Sequence, residues 1–248
     1  MINKNILLVV EGEKIEPKLM NIIFKLYFDS SLPYKIYSFK TNIYVLYNTL
    51  QKYAVSGKID YNNIDLTKVF SSLNINQEEK DVLSHKFTDI LLIFDFDPQD
   101  LRYNAQLLTE LVENFNESTE LGKLYINYPM VESYKHFHCL PDPLFKHRFV
   151  SISSLKNLEY KKLVSEEAFQ NDARKMTREN FNQIIIHNIE KMTFLLRGNL
   201  GDINIDSDDF RNILQFQANE LQQGGKVFVL NTCLMFIFEY NKELIWIS

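Results

Sequence analysis

The sequence predicts an α/β protein, with a parallel sheet flanked by helices and then a mostly helical C-terminal part. Short apolar runs alternate with helical patterns of apolar residues, which is typical of βαβ units. Several of these runs are continuously apolar, as expected of strands buried on both faces. Only 7 Gly and 6 Pro occur in 248 residues, which favours long elements over tight turns. With 46% hydrophobic and 24% charged residues, the composition is globular.

The first strand is predicted at residues 5–10, which read NILLVV. A helix follows, because one stripe at helical spacing carries only apolar residues: Leu19, Met20, Ile22, Ile23, Leu26 and Tyr27. Pro17 suits its first turn, where a missing N–H costs nothing. Residues 34–39 alternate as a second strand, and residues 42–53 have the pattern of a second helix.

The middle of the chain carries the strongest strand pattern. Residues 54–86 are polar and irregular, with a helical pattern at 76–85 only. Residues 89–97, DILLIFDFD, predict a buried strand. A helix over 107–115 and a strand over 123–127 complete a parallel sheet of about four strands.

After Pro141-Asp142-Pro143 the alternation of predicted strands and helices stops, and the remaining pattern is mostly helical. We expect one domain at residues 1–140 and a helical region at 141–248. Helices are predicted at 181–196 and 207–221. Ser207 is the expected N-cap of the second helix, and Gly224-Gly225 is its expected stop.

Charge, cysteine content and hydropathy exclude several classes of protein. The net charge of −5 argues against a protein that coats nucleic acid, but not against a nuclease. Two cysteines without a pairing pattern favour a reducing compartment. Neither a signal peptide nor a run of ~20 apolar residues is visible, so we expect a cytoplasmic protein without a membrane segment. A P-loop is also missing, so ATP hydrolysis by that route is not expected.

Acidic residues follow two of the predicted strands, namely Glu11 after the first and Asp95 and Asp97 at the end of the DFD strand. Ligands of open α/β sheets bind beyond the carboxyl ends of the strands. Strand periodicity places Asp95 and Asp97 on one face. Clustered carboxylates repel one another unless a divalent cation offsets their charge, and oxygen ligands suit Mg²⁺ or Mn²⁺. The alternative is solvated acids that merely follow buried strands.

Three motifs carry a resemblance to the Toprim domain: VVEGEKIEP at residues 9–17, LLIFDFD at 91–97 and NYPMVE at 127–132. In this combination they most resemble small RloB-like and abortive-infection Toprim nucleases of bacterial anti-phage systems. The resemblance covers residues 5–140 and leaves the rest of the chain without a counterpart. Ile15 stands where the motif has threonine.

The resemblance implies a Toprim-like sheet and a role for each matching residue. Glu11 would be a metal ligand or general acid/base, and Asp95 and Asp97 would bind Mg²⁺ or Mn²⁺, with Glu132 completing the metal site. The implied activity is cleavage of phosphodiester bonds in DNA or RNA, tRNA included, as the effector of anti-phage defence. Some such relatives work beside a separately encoded ATPase subunit.

Two acids of the first motif, Glu13 and Glu16, have two interpretations. One of them approaches a second metal ion, or both are exposed acids at a helix start, where the helix dipole favours negative charge.

The segment after Glu132 is the densest in cations. We expect nucleic-acid contacts from Lys135, His136, Lys146 and Arg148. Aromatic residues that could stack on bases interleave with these cations: Tyr134, Phe137, Phe145, Phe149 and Tyr160. The alternative is a solvated face beside core aromatics. Zinc is poorly supported, because His136 and His138 are spaced to point to different faces of a helix.

Two alternatives to a nuclease stay open. One is another Toprim phosphotransfer activity, such as strand passage or primer synthesis. The other is a non-catalytic Toprim-like subunit that binds or regulates a partner in a defence complex.

Overall fold

A computed structural model of the chain describes residues 5–28, 32–199 and 204–246. The chain forms two compact units, and neither is one continuous segment. The first comprises residues 1–94 and 106–125, and the second comprises residues 95–105 and 126–248. The sequence favours a boundary between two domains at residue 140, and this boundary stays a prediction.

The first unit contains most of the central sheet and its helices. Its elements, some of whose end residues belong to the second unit, are β1 (Ile6–Val10), α1 (Ile15–Phe28), β2 (Tyr34–Ser38), α2 (Ile43–Gln51), β3 (Ala54–Val55), β4 (Lys58–Ile59), α3 (Leu66–Ser71), α4 (Gln77–Leu83), β5 (Asp89–Asp95), α5 (Ala105–Asn114), β6 (Asn116–Glu117) and β7 (Gly122–Asn127). The five-stranded sheet has the order β2-β1-β5-β7-β6. Strand β1 pairs in parallel with β2 and β5, whereas the short β6 runs antiparallel to β7. The predicted α/β class is confirmed, and the sheet is mostly parallel. It has five strands instead of the predicted four, since the short antiparallel edge strand β6 was not predicted.

Burial explains the apolar runs. All five residues of β1 are buried, as expected of a strand covered on both faces. Helix α1 buries the predicted stripe through Leu19, Met20 and Ile23. Between α2 and β5 the structure adds the β3–β4 hairpin and α3, which the sequence did not predict. Elements this short contain too few residues to show a period.

The second unit follows β7 and contains three long helices and a small sheet. Its elements are β8 (Phe149–Ser151), α6 (Glu159–Glu167), α7 (Arg178–Arg197), α8 (Ser207–Gly224), β9 (Lys226–Phe228), α9 (Phe236–Tyr240) and α10 (Glu243–Trp246). Strands β8 and β9 pair antiparallel. A 3₁₀ turn at Val131–Lys135 leads from the end of β7 into this unit.

The N-cap of helix α8 lies one residue earlier than predicted. Asp206, and not Ser207, is the N-cap, since its side chain accepts the backbone N–H of Asp209. A carboxylate caps a helix as well as a hydroxyl does, so Asp206 can take the place of Ser207 as the N-cap. The predicted stop is confirmed, with Gly225 in the left-handed conformation at φ 60°. Across the described ranges, no helix is long and apolar enough to cross a membrane.

Candidate functional site

The end of β1 is held by its neighbouring strand and by α1. The backbone N–H of Glu11 donates to the carbonyl of Ile93 in β5 over 3.1 Å, which extends the ladder by one residue. The backbone N–H of Gly12 donates to Oε1 of Glu16 over 3.2 Å. Glu16 is 6% exposed, so its carboxylate lies inside the first unit against the Glu-Gly turn.

Glu13 and Glu16 therefore differ, although the sequence offered the same two interpretations for both. Glu13 is exposed and forms an ion pair of 3.4 Å with Lys40. Glu16 is buried, which excludes the interpretation of an exposed acid for that residue. Ile15, the departure from the motif, is the first residue of α1 and is 38% exposed.

Asp95 and Asp97 belong to the second unit, where backbone contacts fix their positions. Oδ1 of Asp95 accepts the backbone N–H of Val131 over 2.8 Å, and Asp95 is 9% exposed. The N–H of Phe96 lies 3.0 Å from the carbonyl of Asn127. Asp97 has a positive φ of 41°, a conformation that aspartate tolerates better than most residues. The sharp change of direction after Phe96 thus ends the strand.

The carboxyl of Asp97 has an electrostatic environment unlike that of a solvated acid. Burial raises its pKa, and a hydrogen bond from Gln99 opposes that shift. Repulsion from Asp100 and Glu132 raises the pKa further, whereas the charge of Lys161 lowers it. Asp97, Glu132 and Lys161 are therefore close enough to influence one another's charge.

Glu132 is the most unusual acid of the second unit. It lies in the 3₁₀ turn Val131–Lys135 and is 3% exposed. Neither of its carboxylate oxygens accepts a hydrogen bond from any residue that the structure describes. Nζ of Lys161, in α6, lies 3.0 Å from Oε1, at ion-pair distance but without hydrogen-bond geometry. A buried charge without hydrogen bonds is costly in free energy, and a ligand that bound this carboxylate would offset that cost.

The donors near Glu132 match a hard divalent cation in chemistry. Asp95, Asp97 and Glu132 supply carboxylate oxygens, and within the described ranges those of Glu132 have no hydrogen bonds to lose. However, in the ranges that the structure describes, no three His, Cys, Asp or Glu side chains already stand where they could hold a metal ion. Glu11 belongs to the first unit, and its predicted sharing of a cation with Asp95 stays a prediction.

His136 is a buried residue and not the surface contact that the sequence predicted. It is 1% exposed, and its Nε2 lies 2.8 Å from Oε2 of Glu167. Because a carboxylate only accepts, Nε2 carries the proton, and Nδ1 accepts from the hydroxyl of Tyr160 at 3.2 Å. Burial lowers the pKa of His136 to about 4, against the opposing effect of Glu167. Its predicted contact with nucleic acid is wrong, because packing removes it from the surface.

The predicted contact of Arg148 with nucleic acid also needs correction. Its Nη1 donates to Oδ2 of Asp142 over 2.9 Å and to the carbonyl of His136 over 2.6 Å. The two side chains of the ion pair are only 9% and 3% exposed. Arg148 thus holds the second unit together and is not placed to meet a phosphate. Lys135 and Lys146 are half-buried, and their contacts with nucleic acid stay predictions.

The aromatic residues among these cations mostly form core. Four of them are buried: Tyr134, Phe137, Phe145 and Tyr160. Only Phe149 is exposed, at 45%, and its ring packs 5.7 Å from that of Phe228. The predicted stacking surface is therefore wrong for the four buried rings. Lys161 is another cation of the segment after Glu132, and its pairing with that carboxylate was not predicted, because a contact between separate segments leaves no local pattern.

Comparisons of this chain with models of protein families, with curated proteins and with solved structures found no match. The Toprim resemblance therefore depends on the sequence motifs alone. What this site does has to be argued from its own side chains.

Proposed function

We propose that this chain is a Toprim-type nuclease that cleaves phosphodiester bonds with the help of Mg²⁺ or Mn²⁺. One observation carries the proposal: the carboxylate of Glu132 is buried, and no residue that the structure describes gives either of its oxygens a hydrogen bond. The ammonium of Lys161, at ion-pair distance, supplies only part of the compensation that a buried carboxylate needs, and a divalent cation would supply it more fully.

The surroundings of Glu132 support a cation. Repulsion from Glu132 contributes to the raised pKa of Asp97, so negative charge is already concentrated there. Asp95, Asp97 and Glu132 would hold the ion. When bound, a divalent cation supplies charge screening at the phosphate and a more acidic water molecule.

The side chains of the second unit have separate tasks in this proposal. Asp95, fixed by the N–H of Val131, is a rigid ligand. Asp97 would be a second ligand, and a bound cation would offset the repulsion from Asp100 and Glu132 that raises its pKa in the metal-free protein. Lys161 brings positive charge to a site whose acids would otherwise repel phosphate.

The biological setting is proposed from the motifs alone. The chain would act as the effector of a bacterial anti-phage system, on DNA or on RNA such as tRNA. A separately encoded ATPase subunit would supply the energy-dependent step.

A second candidate function is a non-catalytic subunit that binds or regulates a partner. It is favoured by one observation, namely that in the described part of the chain no three potential ligands are gathered around one point. The two candidates differ in whether the bound cation supports cleavage.

The test is incubation of the full chain with labelled plasmid DNA and with total tRNA, in the presence of Mg²⁺, Mn²⁺ or EDTA. We expect cation-dependent cleavage that Glu132→Gln abolishes, because the substitution keeps the shape and removes the charge. Glu179→Gln, an exposed acid at the start of α7, is the matched control and should cleave like the parent. Mn²⁺ binding without cleavage would support the second candidate. Cleavage that persists in EDTA would overturn the proposed mechanism.

A further inference from the structure

Lys161 holds the carboxylate of Glu132 by charge alone. Its Nζ lies 3.0 Å from Oε1, yet neither oxygen of Glu132 accepts a hydrogen bond from a residue that the structure describes. The carboxylate is 4% exposed, whereas the lysine side chain is 42% exposed. The pair therefore joins a fixed, buried anion to a cation that reaches it from the surface.

The lysine side chain has space into which it can withdraw. A cavity of about 380 Å³ opens beside it, lined by Lys161, Lys162, Ser165 and Glu166. A lysine has a flexible stem of four carbons, so its ammonium can move several ångströms without moving the helix. Glu132 lacks this freedom, because it lies in a buried 3₁₀ turn.

We propose that the ammonium of Lys161 occupies the place of the divalent cation at Glu132 and must leave it when that cation binds. This inference rests on the proposed function and adds a form of regulation to the same site. An ammonium and a divalent ion a few ångströms apart repel strongly, so the two cannot share the carboxylate at no cost. Lys161 thus neutralises the buried acid in the metal-free protein and competes with the metal.

The displaced Lys161 would then contribute to substrate binding. Once the cation holds Glu132, the ammonium of Lys161 can point into the cavity that Lys162 also lines. Two ammonium groups there would attract a phosphate of the substrate. Metal binding would therefore move positive charge from the acid to the substrate, and the site would favour phosphate only when it is loaded.

The test measures Mn²⁺ affinity, with no need for cleavage. The full chain is titrated with Mn²⁺, and the electron paramagnetic resonance signal of unbound Mn²⁺ gives the Kd. Lys161→Met and Lys161→Gln should bind Mn²⁺ about tenfold or more tightly than the parent, since each removes the competing charge. Lys161→Arg keeps that charge and should bind at the affinity of the parent or more weakly.

Two controls separate competition from general electrostatics. Lys162→Met removes a neighbouring exposed charge and should change the affinity by no more than about twofold, as expected of a screened surface charge. In a Glu132→Gln background, Lys161→Met should have no further effect. Thermal unfolding of each variant confirms that it is folded.

The outcomes distinguish this inference from the proposed function. If the parent binds Mn²⁺ and both neutral Lys161 variants bind it equally or more weakly, competition is overturned while the nuclease proposal stands. If neither the parent nor any Lys161 variant binds Mn²⁺, both proposals are overturned.

Discussion

Oδ1 of Asp95 accepts a hydrogen bond of 2.8 Å from the backbone N–H of Val131, the residue that precedes Glu132. Asp95, a proposed metal ligand, thereby fixes the turn that carries Glu132, a second proposed ligand. A substitution at Asp95 consequently affects the charge of the site and the position of Glu132, and the choice of new side chain separates these effects.

Asp95→Asn should abolish activity without unfolding the protein. The amide oxygen can still accept from Val131, but the charge that holds the cation is lost. We expect cleavage to fall by about 10²-fold or more, as for loss of a group that stabilises the transition state. Asp95→Ala also loses the acceptor and should cost about 1–3 kcal/mol of stability. Denaturant unfolding and cleavage rates check both values, and unchanged cleavage by folded Asp95→Asn would show that the carboxylate is not catalytic.

Charge reversal at Arg148 should act on folding and not on substrate binding. Arg148→Glu leaves Asp142 buried beside a second acid, so we expect a loss of about 3–5 kcal/mol in denaturant unfolding. Lys146→Glu is the comparison, because Lys146 is half-buried and within 5.6 Å of the ring of Phe194, with no described ion pair. If Lys146 contacts phosphate, its reversal should flatten the salt dependence of duplex binding by about one unit of slope. An Arg148→Glu protein as stable as the parent would contradict the structural role.

His136 should make the folded state less stable as the pH falls. Its folded pKa, about 4, lies below its ordinary value of 6.5. Between these values the unfolded chain binds a proton that the folded chain does not, so stability is greatest above that window and decreases as the pH falls through it. We expect a loss of about 1–3 kcal/mol between about pH 7 and about pH 4.

The comparison for this pH effect is a pair of substitutions. Denaturant unfolding of His136→Asn should show a flatter pH dependence, whereas His138→Asn, whose side chain is 48% exposed, should behave like the parent. Glu167, whose pKa is lowered, contributes only below its ordinary value of 4.5. A parent and a His136→Asn protein with the same pH dependence would contradict this account.

Gly12→Ala should destabilise the turn after β1. A Cβ at Gly12 would lie 2.7 Å from Oε2 of the buried Glu16, so the carboxylate would have to shift. We expect a loss of about 1–3 kcal/mol, which Glu16→Ala in the same chain should partly relieve. Gly224→Ala is the matched control, since its nearest neighbour, Cδ of Lys226, would be 3.6 Å away. Additive effects of Gly12→Ala and Glu16→Ala in thermal unfolding would argue against this contact.

The sequence by itself determined the α/β class and the strands at its centre. Strands β1 and β5 are recognisable because burial on both faces requires an unbroken apolar run, which is a local property. The acids that follow them, Glu11, Asp95 and Asp97, are equally visible, since each interrupts or ends such a run. Helix α8 could be predicted from its helical pattern and from its expected cap and stop, with an error of one residue at the cap.

Only the tertiary structure decided which charged residues belong to the site. Glu132, Arg148 and His136 look alike in sequence, as polar residues among aromatics, yet their partners differ. Two of those partners, Lys161 and Glu167, come from α6 and are brought near by packing, whereas Asp142 lies only six residues before Arg148. Periodicity records which face of an element is buried, whereas an ion pair depends on distances between elements that no local pattern encodes. The ammonium of Lys161 beside the buried carboxylate of Glu132 is a contact of this second kind.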